Sequence, residues 1–178
     1  MFLVYIAVLS LAVWSLVALL QGIDVAEVKA CCSTRLTVRM IAAYLVVITL
    51  LFAVIWLRDI LPGLLSLTTP ASLHGTLMLT NPIQVMDFAF GFPMTILAAV
   101  WFWQRRPWGY VLAGMFLVYG VFEAASIACD QTFGHISDPT QSTAMVPVFA
   151  ALTVIALLPL VVFLRALRGQ PTAGRQAV

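Results

Sequence analysis

Charge is what this chain has least of. Only 9% of its 178 residues are Asp, Glu, Lys or Arg, where a soluble domain carries roughly 25%, so a water-soluble globule is excluded. Lysine occurs once, at Lys29, and asparagine once, at Asn81. That Asn precedes Pro82, which rules out an N-glycosylation sequon. His74 and His135 are the only histidines, and neither has a nucleophile in a recognisable context, so Ser–His and Cys–His catalysis have no support. Cys31, Cys32 and Cys129 contain no C-x-x-C pair and read as unpaired thiols. No cofactor motif is present. A net charge of +2 is too small to suggest a nucleic-acid partner.

Apolar residues make up 63% of the chain, and the mean hydropathy is +1.07. The expectation is an all-α membrane bundle forming one domain over residues 1–168, followed by a disordered cytoplasmic tail, 169–178. Five spans are expected: 2–20, 36–57, 82–104, 108–129 and 145–164. The first lacks a basic leader and a small-x-small cleavage site, so it reads as a retained span rather than a signal peptide. It begins almost at Met1, which leaves room for the chain to be part of a longer protein. A short interfacial helix fits between the first two spans, with Ser33-Thr34 as N-cap for the second. Pro62-Gly63 is expected to end or bend the second span. Leu64–Thr80 is too apolar for a solvated linker and is expected to lie on the membrane surface or fold back onto the bundle. Asp130–Thr143 reads as a polar loop.

The third span is the most informative. Asn81 is a good N-cap, and Pro82 suits the first helical position, where its missing N–H costs nothing. Pro93 predicts a kink in mid-span. Trp101 and Trp103 suit the interface, and Arg105-Arg106 stop the span. At ~100° per residue, Gln84, Asp87, Gly91, Thr95 and Ala98 share one stripe. Small and polar residues on one stripe face other helices, since lipid gives no reward for burying Leu. The tight Arg105–Gly109 turn makes the fourth span antiparallel to the third. Gly120, Ala124 and Ala128 there form a small-xxx-small ridge that, with Gly91, is expected to serve helix packing.

Lys and Arg fall three, one, two, none and three along successive connections and the tail. Alternate segments hold eight of these nine, so the positive-inside rule puts them in the cytoplasm, with the N-terminus out and the C-terminus in. Asp59, Asp87, Glu123, Asp130, Asp138 and both histidines then lie in the outer half or outside, with Arg58 the one cation among them. Lys29 is cytoplasmic, which excludes a catalytic lysine within the membrane.

Asp87 and Glu123 are the candidates for chemistry. A carboxylate at a span centre costs ~2.5–3.5 kcal/mol on insertion scales, so each needs a partner, a proton or water. Two carboxylates close together in low dielectric share a proton or bind a cation. The plainer reading is that they pair with Arg58, a helix N–H or a Tyr and hold the bundle in register; Arg58 and Asp59 are the expected ion-pair partners. Asp130, His135 and Asp138 do not show a metal-ligand spacing, and no metal is expected.

The pattern N-P-x-x-V-x-D-x-A (Asn81, Pro82, Val85, Asp87, Ala89), followed by R-R-P-x-G-Y (Arg105, Arg106, Pro107, Gly109, Tyr110), resembles a family of uncharacterised prokaryotic multi-pass membrane proteins. The likeness spans about Tyr44 to Phe122 and implies no activity. The leading expectation is a non-enzymatic subunit or scaffold in the cell (inner or plasma) membrane, with the lipid bilayer, other membrane subunits or a homo-oligomer as partners. The alternative is a proton- or cation-coupled permease or channel component using Asp87 and Glu123. Five spans do not divide into equal halves, which argues mildly against the common inverted-repeat carriers. A third class is a membrane enzyme with an outward-facing polar site.

Overall fold

A computed structural model describes residues 2–30, 35–70, 73, 80–140 and 142–168. The Ser33-Thr34 cap, Cys31-Cys32, His74 and the tail 169–178 lie outside them. The described residues are helical and contain no strand. The helices are α1 (Phe2–Gly22), α2 (Val25–Ala30), α3 (Arg35–Ser66), α4 (Pro82–Met86), α5 (Phe92–Trp103), α6 (Pro107–Ser137) and α7 (Val146–Arg168). A π-helical turn, Asp87–Gly91, joins α4 to α5. Four stretches are long and apolar enough to cross a membrane: Thr37–Ser66, Pro82–Trp103, Pro107–Ser137 and Val146–Leu167. They mark the chain as a helical membrane protein. α1 is a further apolar helix.

Two boundaries differ from the sequence expectation. Pro62 does not end the second span, because α3 runs on to Ser66 with the proline inside it. The helix closes instead on Leu67, whose φ of 53° is left-handed, while Thr68 N–H donates to Gly63 O at 2.9 Å. That is a Schellman closure with leucine in the place glycine usually takes. Asp130–Thr143 is not a loop throughout, since α6 continues to Ser137. Within that continuation Thr132 turns its hydroxyl onto Ala128 O at 2.7 Å, so its donor is met inside the helix. The short helix expected between the first two spans is α2.

α5 sits between α3 and α6, α6 lies between α5 and α7, and α2 rests on α6. The core gathers at one end. Val38, Ile41, Ala42 and Leu45 of α3 meet Ala99 and Phe102 of α5, Tyr110, Ala113 and Leu117 of α6, and Phe163 of α7. Phe102 packs edge-on to Tyr110, with ring centroids 4.9 Å apart, and to Phe163 at 6.0 Å. Arg39 lies over Trp103 and Arg106 over Trp101 at this same end, the pairing of cation and indole that suits a membrane interface. This is the basic end of the bundle.

The α5–α6 turn explains why the core is there. Arg106 N–H donates to Trp101 O and Arg105 N–H to Phe102 O, both at 2.9 Å. Arg105 takes φ 57° between them. This second Schellman closure also lacks its glycine, at a left-handed cost of ~1–2 kcal/mol. Pro107 then starts α6 at once. A Cβ on Gly109 would stand 2.4 Å from Phe102 N and from Trp101 C, so glycine alone lets the first turn of α6 lie on the last turn of α5. Gly114 makes similar room for Phe163, which would come within 2.8 Å of a Cβ there.

The expected small-residue ridge is only partly used. Ala124 is buried. Nothing lies within 4 Å of a Cβ built on Gly120, so that position carries no close approach within the described residues. A Cβ on Gly91 would meet Asp87 Oδ1 at 3.3 Å, so Gly91 makes room for a carboxylate of its own chain segment rather than for a neighbouring helix. Gly109→Ala is therefore expected to lower stability by more than ~1–3 kcal/mol, the usual cost of overpacking, because the clash is with backbone. Gly120→Ala should stay within ~0.5 kcal/mol of the parent. Thermal unfolding of both variants in detergent checks the pair, and equal melting temperatures would disprove the close approach.

Candidate functional site

The stripe through Pro82–Trp103 is positioned by its N-terminus. Asn81 Oδ1 accepts from Ile83 N–H at 3.0 Å and Gln84 N–H at 3.4 Å, and Pro82 stands at the first helical position. This is the cap that the sequence predicts. It sets α4 so that Gln84, only 5% exposed, faces α3. Gln84 Nε2 donates to Asp59 Oδ2 at 3.0 Å.

One turn further on, the helix changes pitch. Phe92 N–H donates to Asp87 O, closing a π turn, and Pro93 follows with no N–H to give. A π turn thus stands just before Pro93, where the sequence predicts a kink. Such turns are rare in helices and recur at functional positions. Thr95 Oγ1 donates to Gly91 O at 2.7 Å, supplying a donor near the disturbed ladder.

Asp87 opens this π turn. Its Oδ2 accepts from Trp56 Nε1–H of α3 at 2.8 Å. Trp56–Asp87 and Asp59–Gln84 make two rungs, one helical turn apart, between antiparallel α3 and α4. Arg58, one of the partners expected for Asp87 beside a helix N–H or a Tyr, is an exposed residue. Asp59 does enter the network, through Gln84. The sequence missed Trp56, which reads as an interfacial aromatic. Its indole N–H needs an acceptor once it leaves water, and that need was the available signal.

Glu123 reaches the same level from the other side. It follows Pro107 by as many residues as Asp87 precedes Trp103, so each lies ~24 Å along its helix from the α5–α6 turn. Tyr119, one turn before Glu123, stands within electrostatic reach of both Glu123 and Asp87. The structure therefore brings Asp87 and Glu123 into one neighbourhood, with a phenol shared between their fields. Tyr119 is a second residue the sequence reading missed. Its spacing of four from Glu123 is the legible hint.

The loop residues are not gathered in this way. Asp138 Oδ1 accepts from Thr140 Oγ1 at 2.7 Å and Thr140 N–H at 3.0 Å. These two donors hold its exposed carboxyl below the usual range. That is an Asx turn after the end of α6. Cys129 is exposed and free. Among the described residues, no three of His, Cys, Asp and Glu converge as a metal site would require.

The rungs can be separated by mutation. Trp56→Phe leaves Asp87 without its donor and should lower stability by ~1–3 kcal/mol. Asp87→Asn keeps an oxygen acceptor for the indole while removing the charge, and should be close to neutral. Chemical or thermal unfolding in detergent decides; no loss in Trp56→Phe would mean that the rung contributes nothing.

No protein-family model, no curated protein and no solved structure matches this chain, so its chemistry has to be read from these side chains.

Proposed function

We propose that the chain is a non-enzymatic subunit or scaffold of a cell membrane, with five spans, its N-terminus outside and its C-terminus inside. The observation that carries this reading is α1. It has 21 residues, and the large side chains described on it are exposed all round, including Leu11, Val13, Trp14 and Leu16. Among the described residues no other helix lies along it. A helix that is apolar on every side is a membrane span or a buried core helix, and one set apart from its own bundle is free to pack with another chain. The arginine distribution supports the orientation.

A photo-crosslinking residue at Leu11, used in intact membranes, tests the association. The expected product is an adduct of defined mass, with a second copy or another membrane protein. Labelling of lipid alone would remove the ground for a subunit. The orientation is checked with single cysteines at Ser142 and Arg106 in a chain free of native cysteine. An impermeant thiol reagent should reach the first from outside and the second only after permeabilisation; the reverse pattern would invert the topology.

A second reading is supported by the Asp87–Tyr119–Glu123 neighbourhood: a proton- or cation-conducting component. Two carboxylates and a phenol at one depth of a span are the groups a proton relay uses. In this reading Asp87→Asn abolishes flux in proteoliposomes while the protein stays folded. Unchanged flux, or none in the parent, returns the cluster to the structural role of joining helices.

A further inference from the structure

A groove of about 340 Å³ runs between α3 and α5 at the basic end. Its floor is Ala42 and Ala99, each 1% exposed. Its walls include Ala43 and Val47 on α3 and Val100 and Trp103 on α5, all exposed to the surroundings of the bundle. The lining is thus apolar and open to lipid along one side. Small side chains on the floor are what make it a hollow.

The charge around it is not random. Arg35, Arg39 and Ala43 follow at four-residue intervals on α3, so they share one stripe, which Val47 continues. Arg39 lies over the Trp103 ring, 5.7 Å from its centroid, at the groove's end. Both arginines are exposed residues. Just past the groove's Gln104, Nη2 of Arg105 is enclosed and meets no acceptor among the described residues.

We propose that this groove binds an anionic phospholipid, with one acyl chain on the Ala42–Ala99 floor and the phosphate against Arg39 and Arg35. The order of groups along α3 matches the order of groups in such a lipid. From Ala43 to Arg39 is ~6 Å along the helix axis, and Arg35 is ~6 Å further, which carries the site from hydrocarbon to headgroup level. Both cations are arginine, whose planar fork suits phosphate oxygens. A zwitterionic lipid offers the chain without the net charge, and a free phosphate offers the charge without the chain.

Native mass spectrometry of the purified full chain in detergent tests this, titrated with phosphatidylglycerol, with phosphatidylcholine of the same chains, and with glycerol phosphate. Phosphatidylglycerol should bind at least fivefold more tightly than phosphatidylcholine, and glycerol phosphate should not bind. Arg39→Gln should weaken phosphatidylglycerol binding about fivefold, and the Arg35→Gln/Arg39→Gln pair about 25-fold, as expected for loss of one and two juxtamembrane charges. Ala43→Phe should abolish binding by filling the groove, while Val54→Phe, equally bulky but elsewhere on α3, should leave it unchanged. Equal affinity for the two lipids, an unaffected Arg39→Gln, or a Val54→Phe loss as large as that of Ala43→Phe would each overturn the proposal. So would a change of oligomeric mass in Ala43→Phe, which would put a helix of a second copy in the groove. If Ala43→Phe fails to fold, the exposed Arg39→Gln variant still decides.

Discussion

The packed half of this protein depends on how closely α6 is folded back over α5. In lipid, burying apolar surface gains little, because the solvent is as apolar as the side chains. Helices are held by dispersion between close surfaces and by hydrogen bonds. The contact at Gly109, with Phe102 N and Trp101 C directly beneath it, brings two backbones closer than Gly63 does, where Thr68 O would stand 2.9 Å from a Cβ. It fixes the depth at which Phe102 meets Tyr110 and Phe163, and the alanines of α3 and α5 close on that cluster. The left-handed Arg105 is the conformational cost of starting α6 only one residue after the closing pair of hydrogen bonds.

Away from that turn the bundle is joined differently. Trp56–Asp87 and Gln84–Asp59 replace interdigitated side chains with hydrogen bonds to charged acceptors. Bonds of this kind are stronger than neutral ones, and their partners cannot be left unmet in a region of low dielectric. The same arrangement that holds α3 to α4 therefore fixes where negative charge sits. Glu123 and Tyr119 complete the set from α6. Structural and functional readings of the acidic end rest on one group of atoms, and removal of a charge without removal of an acceptor is what separates them.

Much of the fold was legible because membrane helices announce themselves by length and composition. Asn81-Pro82 is read correctly as cap and first helical residue, since that signal is local. The stripe through Gln84 and Ala98 is likewise legible from its period, and both residues are buried. The ends of α3 and α6 were not legible. Pro62-Gly63 and the polar letters after Cys129 look like stops, yet α3 runs on to Ser66 and α6 to Ser137, where Thr132 turns its hydroxyl onto its own helix's Ala128 carbonyl. The closures at Leu67 and Arg105 lack the glycine by which such ends are normally recognised. In the site, Asp87 and Glu123 stood out as charges in lipid. Trp56 and Tyr119 did not, because an amphipathic aromatic in a span has many ordinary reasons to be there. The role of Gly91 was inverted: the spacing suggested helix packing, and the structure gives it to the carboxylate of Asp87.

The lengths of α3 and α6 have a mechanical consequence. They contain 32 and 31 residues, or roughly 46–48 Å each, against a hydrocarbon core of ~30 Å. Excess length must tilt or protrude. Arginine and tryptophan moor both helices at the basic end, so the surplus accumulates at the other. A thicker bilayer would draw the stretch after Cys129 of α6 into hydrocarbon, and a thinner one would expose the Trp56–Asp87 rung to water. The depth at which the two carboxylates sit is thus set by the membrane as well as by the chain, and bilayer thickness acts as a dial on their surroundings.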